Sequence, residues 1–165
     1  MNDPKIILCS LLLLASTAFT HLAQAQNAEQ HFSQMLEALA SKKAIHHAYR
    51  VTTTVEAAGT SQTFCGEGQL SLRAGQLKSG RTPQGVCQVG AASTHTLGIK
   101  MYTTGAGNVV VMVHSSEDDW TRRLQNIELR AASSEMIITG QYIQDQIVER
   151  YRIAVPLPGA LMANR

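Results

Sequence analysis

The 165-residue chain carries 14 Lys and Arg against 12 Asp and Glu, a formal net charge of +2, and only 16% of its residues are charged. Soluble domains average about 25%, so Thr, Ser, Gln and Asn must solvate much of the surface. So small a net charge gives no support for a polyanionic partner such as nucleic acid, and the length suits one domain with a single core.

Lys5 precedes an apolar run from Ile6 to Phe19, and Ala23-Gln24-Ala25 has the small-x-small spacing read by a signal peptidase. We expect a signal peptide over 1–25, cleaved before Gln26, with an uncleaved signal anchor as the alternative. The run is shorter than the roughly 20 residues of a membrane span. Cys9 lies inside it, unlike the cysteine of a lipoprotein anchor. The expected product is one exported domain over 26–165, periplasmic or secreted, with no stable membrane anchor after cleavage.

Two cysteines remain, Cys65 and Cys87. In an oxidising compartment they are expected to bond to each other, with free thiols or an intermolecular bridge as the alternatives. Without a Cys-x-x-Cys pair, a thioredoxin-like redox role has no support.

In chain order, Phe32, Met35, Leu36, Leu39, Ala40 and Ile45 have helical spacing, which predicts an amphipathic helix over 27–47. Period two follows: Val51, Thr53 and Val55 share one face, and Leu70 and Leu72 another, opposite Gln69, Ser71 and Arg73. Ala58-Gly59 and Ala74-Gly75 read as turns, Leu77 as a short strand, and 79–85, with Gly80, Pro83 and Gly85, as a loop. Leu97, Ile99 and Met101 alternate in another strand. Val109-Val110-Val111-Met112-Val113 is apolar on both faces and reads as a central strand covered on both sides. For 117–124 the spacing of Trp120, Leu124 and Ile127, after Ser116 and the acids Glu117 and Asp118, predicts a short helix or helical turn. Strands over 127–131, 136–143 and 147–155 complete the pattern. Strands thus dominate 49–156, and the tail over 157–165 is expected to be loose. The predicted fold is α+β, an N-terminal amphipathic helix packed on a curved antiparallel β-meander or a near-closed β-barrel, with one disulfide.

Chemistry is sparse. His46 and His47 are adjacent, so their side chains diverge, and both are expected to be solvated at the helix-to-strand junction. No histidine has metal-ligand spacing, and no metal or other cofactor is implied. Glu117-Asp118-Asp119 reads as helix N-terminal acids in preference to a calcium site, which would need alternating oxygen ligands around a glycine. Nucleophile and phosphate-loop motifs are missing.

The amphipathic helix, the Thr-rich strand and Gly68-x-Leu70-x-Leu72 together are similar in outline to the periplasmic lipoprotein-carrier half-barrels. That resemblance covers about the first third of the expected mature chain and implies a sheet wrapped around a lipid-sized cavity. The cysteine hairpin is a departure from the family's pattern.

The expected function is a non-catalytic binding domain that buries an apolar small molecule, or a segment of a protein partner in the cell envelope, against the valine strand. Its candidate ligand-binding residues are Val109, Val111, Met112, Val113, His114 and Trp120. A structural or inhibitory protein acting through a polar surface is the second reading, and a small hydrolase using His114, Glu117 or Asp118 the third.

Overall fold

The computed structural model describes residues 27–41, 44–88, 92–115 and 117–158. The expected signal peptide over 1–25 and residues 159–165 of the expected tail lie outside the described residues. Leu157 is buried, and its amide donates to the Ser134 carbonyl at 2.7 Å.

Residues 27–41 form a helix, α1. Ala28, Phe32, Met35 and Leu39 recur at intervals of three and four and are buried along one stripe, joined by Ala38. The helix was expected to reach residue 47, but the chain is extended from His46. Exposed His46 and Ala48 alternate there with buried His47 and Tyr49. Pairing with the neighbouring strand overrides the helical spacing of Ile45, which is left 64% exposed. His47 is therefore not solvated at a junction.

Ten strands follow: β1 (His46–Ala57), β2 (Thr60–Arg73), β3 (Gln76–Ser79), β4 (Thr82–Val86), β5 (Ser93–Thr103), β6 (Val109–Ser115), β7 (Trp120–Arg123), β8 (Gln125–Ala132), β9 (Glu135–Gln144) and β10 (Ile147–Pro156). They make one antiparallel sheet in the order β7-β6-β5-β3-β2-β1-β10-β9-β8, with β4 joined to β2 and β5. At the turn from β1 to β2, Ala58 and Gly59 have φ of 48° and 76°, and from β2 to β3 Ala74 and Gly75 have 48° and 73°. Two successive left-handed residues match the right-handed twist of a tight hairpin, and a glycine at the second position adopts this without steric cost.

The segment predicted as a loop over 79–85 is a strand for most of its length. β3 and β4 are two parts of a strand bent at Gly80-Arg81: β3 pairs with β2 at Leu70–Arg73 and β4 with β2 at Phe64–Gly66. Pro83 is accommodated, and its glycine neighbours misled the sequence reading. The bend interrupts the ladder to β5, and a side chain repairs it: the Ile99 amide donates to Ser79 Oγ at 2.8 Å. Ser79 Oγ also accepts from the Tyr49 hydroxyl at 3.1 Å, and that hydroxyl lies 2.5 Å from Thr82 Oγ1. Gly68 makes the stitch possible, because a Cβ there would stand 2.5 Å from Thr82 Oγ1 and 2.9 Å from the Tyr49 ring.

A second correction concerns 117–124. Residues 117–119 are a turn, and Trp120–Arg123 is strand, with no helix. Ser115 Oγ accepts from the Asp118 amide at 3.2 Å and donates to Asp118 Oδ2 at 3.2 Å, so the serine organises a hairpin turn instead of a helix start. β6 is also not central: it stands second from one end of the sheet, between β5 and β7.

β7 and β8 are consecutive in the chain, yet they stand at opposite ends of the strand order. The Leu124 amide still bonds to Val111 on the β6 side at 2.9 Å, whereas Gln125 is already paired with Gln141 of β9. The register shift between Gln125 and Glu128, with Asn126 at φ 50°, marks where the chain changes edges. Every other pair of consecutive strands is hydrogen-bonded, apart from β3 and β4, the two parts of the bent strand, and β1 pairs with β10. The crossing from β7 to β8, between the two ends of the order, is the seam.

One face of the sheet carries the core. Tyr49, Val51, Leu70, Leu77, Ile99, Met101, Val111, Val113, Met136, Ile138, Ile153 and Val155 belong to a single buried cluster that also contains Phe32, Met35 and Leu39 of α1. We call this the inner face. Cys65 and Cys87 form a disulfide with Cα atoms 5.1 Å apart, exposed on the opposite face.

Candidate functional site

The sequence-derived candidates are split between the two faces. Val109, Val111 and Val113 alternate onto the inner face, where Val111 and Val113 are fully buried and Val109 partly so. Trp120, opposite Ser115 at the end of β6, joins them there. Met112 and His114 point to the outer face. His114 covers Gly98, where a Cβ would lie only 2.1 Å from the ring. Burial, and secondarily the charge of Lys78, hold its imidazole below the ordinary 6.5. The acids Glu117, Asp118 and Asp119 stand exposed in the β6–β7 turn. Among the described residues no group of three His, Cys, Asp or Glu is placed to hold a metal ion.

A polar band crosses the inner face instead, built from residues whose strand parity turns them toward the core. Arg122 follows Trp120 at the two-residue interval and sits opposite Val113. Its Nη1 donates to both carboxylate oxygens of Glu149 on β10. The Tyr151 hydroxyl donates to Glu149 Oε2 at 2.6 Å. The guanidinium also lies 4.0 Å from the Trp120 ring centroid and 4.9 Å from that of Tyr142, within cation–π range of both. Side-chain exposure is 23% for Arg122 and 9% for Glu149, so this ion pair is largely withdrawn from water.

The band continues toward β4. Tyr151 pairs in register with Thr53, and Thr53 Oγ1 lies 3.4 Å from Gln84 Oε1. Gln84 is fully buried, and its Nε2 has no hydrogen-bond partner. Gly66, in register with Gln84, leaves room for that side chain: a Cβ there would stand 3.1 Å from Gln84 Cγ. His95 pairs in register with Gln84, and its ring meets Phe64 edge to face at 5.0 Å.

Electrostatics follow from the geometry. Burial acts to lower the Arg122 guanidinium, but the hydrogen bond and charge of Glu149 outweigh it and hold the group above its ordinary value. Burial first, and Glu149 second, push the Tyr151 phenol well above the usual tyrosine range. Arg122 and Glu149 therefore form a charged pair of zero net charge beside an apolar core, with Tyr151 neutral.

The sequence reading missed this band, although one signal was present. Ile147, Tyr151, Ile153 and Val155 alternate along the strand over 147–155, Glu149 shares their face by parity, and a lone acid on an apolar strand face requires a partner. Neither Arg122 nor Gln84 could be matched to it before the fold brought β4, β7 and β10 together.

His31 Nδ1 donates to the Leu129 carbonyl of β8 at 2.8 Å. A small recess of about 220 Å³ is lined by Ala28 of α1, by Asn108 and Val109 where β6 begins, and by Arg123, Leu124, Asn126 and Ile127 where β7 gives way to β8. On the outer face of β1, β10, β9 and β8, a groove of about 430 Å³ is lined by Thr52, Thr54, Thr139, Gln141, Arg150 and Arg152, among others. No family model matches the chain, and the comparisons with curated proteins and with solved structures found no match either.

Proposed function

We propose that this chain is an exported, non-catalytic binding domain that shelters an apolar chain between α1 and the inner face of a sheet curled into a nearly closed barrel. The observation that carries the reading is the seam. The strands contribute a largely apolar inner face crossed by the polar band, and where β7 gives way to β8 the cover is a short helix. Among the described residues, α1 has one side-chain hydrogen bond to the sheet, from His31 to Leu129. The rest of its hold is chiefly the burial of Phe32, Met35 and Leu39, with two alanines and a partly buried Leu36.

The magnitudes permit an exchange. Burying three such side chains contributes roughly 5–9 kcal/mol. An acyl chain at about 0.8 kcal/mol per CH₂ matches that with about ten methylenes. A ligand of that length can take the place of the helix stripe on the inner face, with α1 moving aside at the seam. Export agrees with the Cys65–Cys87 disulfide, which persists in oxidising compartments.

The test is native mass spectrometry and a calorimetric titration of the purified, disulfide-bonded protein with single-chain lauroyl amphiphiles. Saturable one-to-one binding at micromolar concentration supports the reading. A folded protein that binds no chain of this length removes it. A second reading, recognition of an envelope partner by the outer face, has the threonine-lined groove over β1, β10, β9 and β8 in its favour. A pull-down from native envelopes that is lost on substituting Arg150 and Arg152 would favour that reading.

A further inference from the structure

The polar band on the inner face is selective by its charge balance. Arg122 and Glu149 cancel each other, because Nη1 is committed to the two carboxylate oxygens. A guanidinium carries five N–H groups, two of them on Nη1. The guanidinium also hydrogen-bonds the Tyr151 hydroxyl, and its remaining N–H groups have no carboxylate to meet, on a side chain that is 23% exposed. At the other end of the band, the buried Nε2 of Gln84 is a further donor without a partner. Whichever way that amide is turned, only one of its ends meets Thr53, and a polar group left unpaired in a core is unfavourable. Trp120 and Tyr142 beside Arg122 add two amphipathic ring walls. The band thus offers spare donors and no net charge, directly against the apolar face.

Such an environment discriminates between heads. An ester carbonyl with hydroxyls accepts the spare donors and brings no charge. A carboxylate or phosphate head would carry an unbalanced charge into a low-dielectric region beside Glu149, and that is strongly unfavourable. We propose that the inner polar band receives the uncharged head of a single-chain acyl ester and rejects the ionised fatty acid of the same length. The inference rests on the inner face being the site for the apolar chain, and it adds the chemical class of the ligand.

The test compares monolauroylglycerol with laurate by calorimetric titration at pH 8, where laurate is ionised. The ester is expected to bind at least about tenfold more tightly. Glu149→Gln leaves the Arg122 charge unbalanced, and the order of preference should reverse. Gln84→Leu removes the unpaired amide without adding charge; it should weaken the ester about fivefold or more and leave laurate unchanged. If the glutamine variant does not fold, Gln84→Leu decides alone. Equal affinity for the two ligands in the wild-type protein, or a preference for laurate, overturns the selectivity while leaving the apolar-chain site standing. Binding of neither ligand overturns both.

Discussion

Arg122 shows how a charged side chain is tolerated beside a core. Its guanidinium is matched to both oxygens of Glu149, and it lies near two aromatic faces. Removing one partner of a largely buried pair leaves the other uncompensated, which costs more than the pair itself contributes. Arg122→Met should therefore lower unfolding free energy by about 3 kcal/mol in urea titrations, and Arg122→Met with Glu149→Leu should recover most of the loss. Additive losses in the double variant would show that the two residues act separately. His114 gives a pH prediction on the other face. Burial and Lys78 hold its imidazole below 6.5, so the unfolded chain takes up this proton more readily than the folded one. Its contribution is complete above the unfolded value and is lost as pH falls through 6.5 toward the lowered folded value. His114→Gln should flatten that part of the acid limb in denaturation midpoints measured across about pH 5–8. An unchanged slope would mean that the imidazole is not held down.

Elements with strict alternation were legible, and those that depend on distant partners were not. Leu70, Leu72 and Leu77 announced β2 and β3 because period two survives any neighbour. β4 was hidden because Gly80, Pro83 and Gly85 signal a loop, while its strand character comes from pairing with both β2 and β5. β7 was hidden because Trp120, Leu124 and Ile127 fit helical spacing, and only the ladder to β6 decides against it. The same reasoning locates the work of the disulfide. Cys65 and Cys87, 22 residues apart, tie the end of β4 back to β2 across the bend. In the chain-entropy account a loop of that length contributes about 3 kcal/mol, mainly by restricting the unfolded chain. Cys65→Ser with Cys87→Ser should lower stability by about that much and leave the β1–β2 pairing in place. A stability within about 0.5 kcal/mol of the parent would assign the bend to the Tyr49–Ser79–Thr82 stitch alone. Gly68→Ala attacks that stitch directly: its Cβ would meet Thr82 and Tyr49 well inside contact distance, and about 1–3 kcal/mol of overpacking should appear in the same titration.

At the scale of the whole molecule, the two ends of the strand order, β7 and β8, are joined by the chain itself. β1 closes onto β10 along register from Arg50–Ala154 to Ala57–Ile147, so the first and last strands hold the two arms of the sheet together. The arms meet again where the chain crosses at Leu124 and Gln125, and through Arg122 of β7, which bonds Glu149 of β10 and lies near the Tyr142 ring of β9. Ladders on both sides should make β1, β10, β9 and β2 the stable part, and α1, held by apolar contacts and the His31 bond, the weaker one. Local opening follows the weakest region, so α1 should exchange its amide hydrogens faster than β1 and β10 in the free protein. If an apolar chain displaces the helix stripe from the inner face, adding a lauroyl amphiphile should raise exchange across 27–41 and leave β1 and β10 unchanged. Greater protection of α1 on ligand addition would mean that the helix stays in place as the ligand binds, and the displacement step would have to be abandoned.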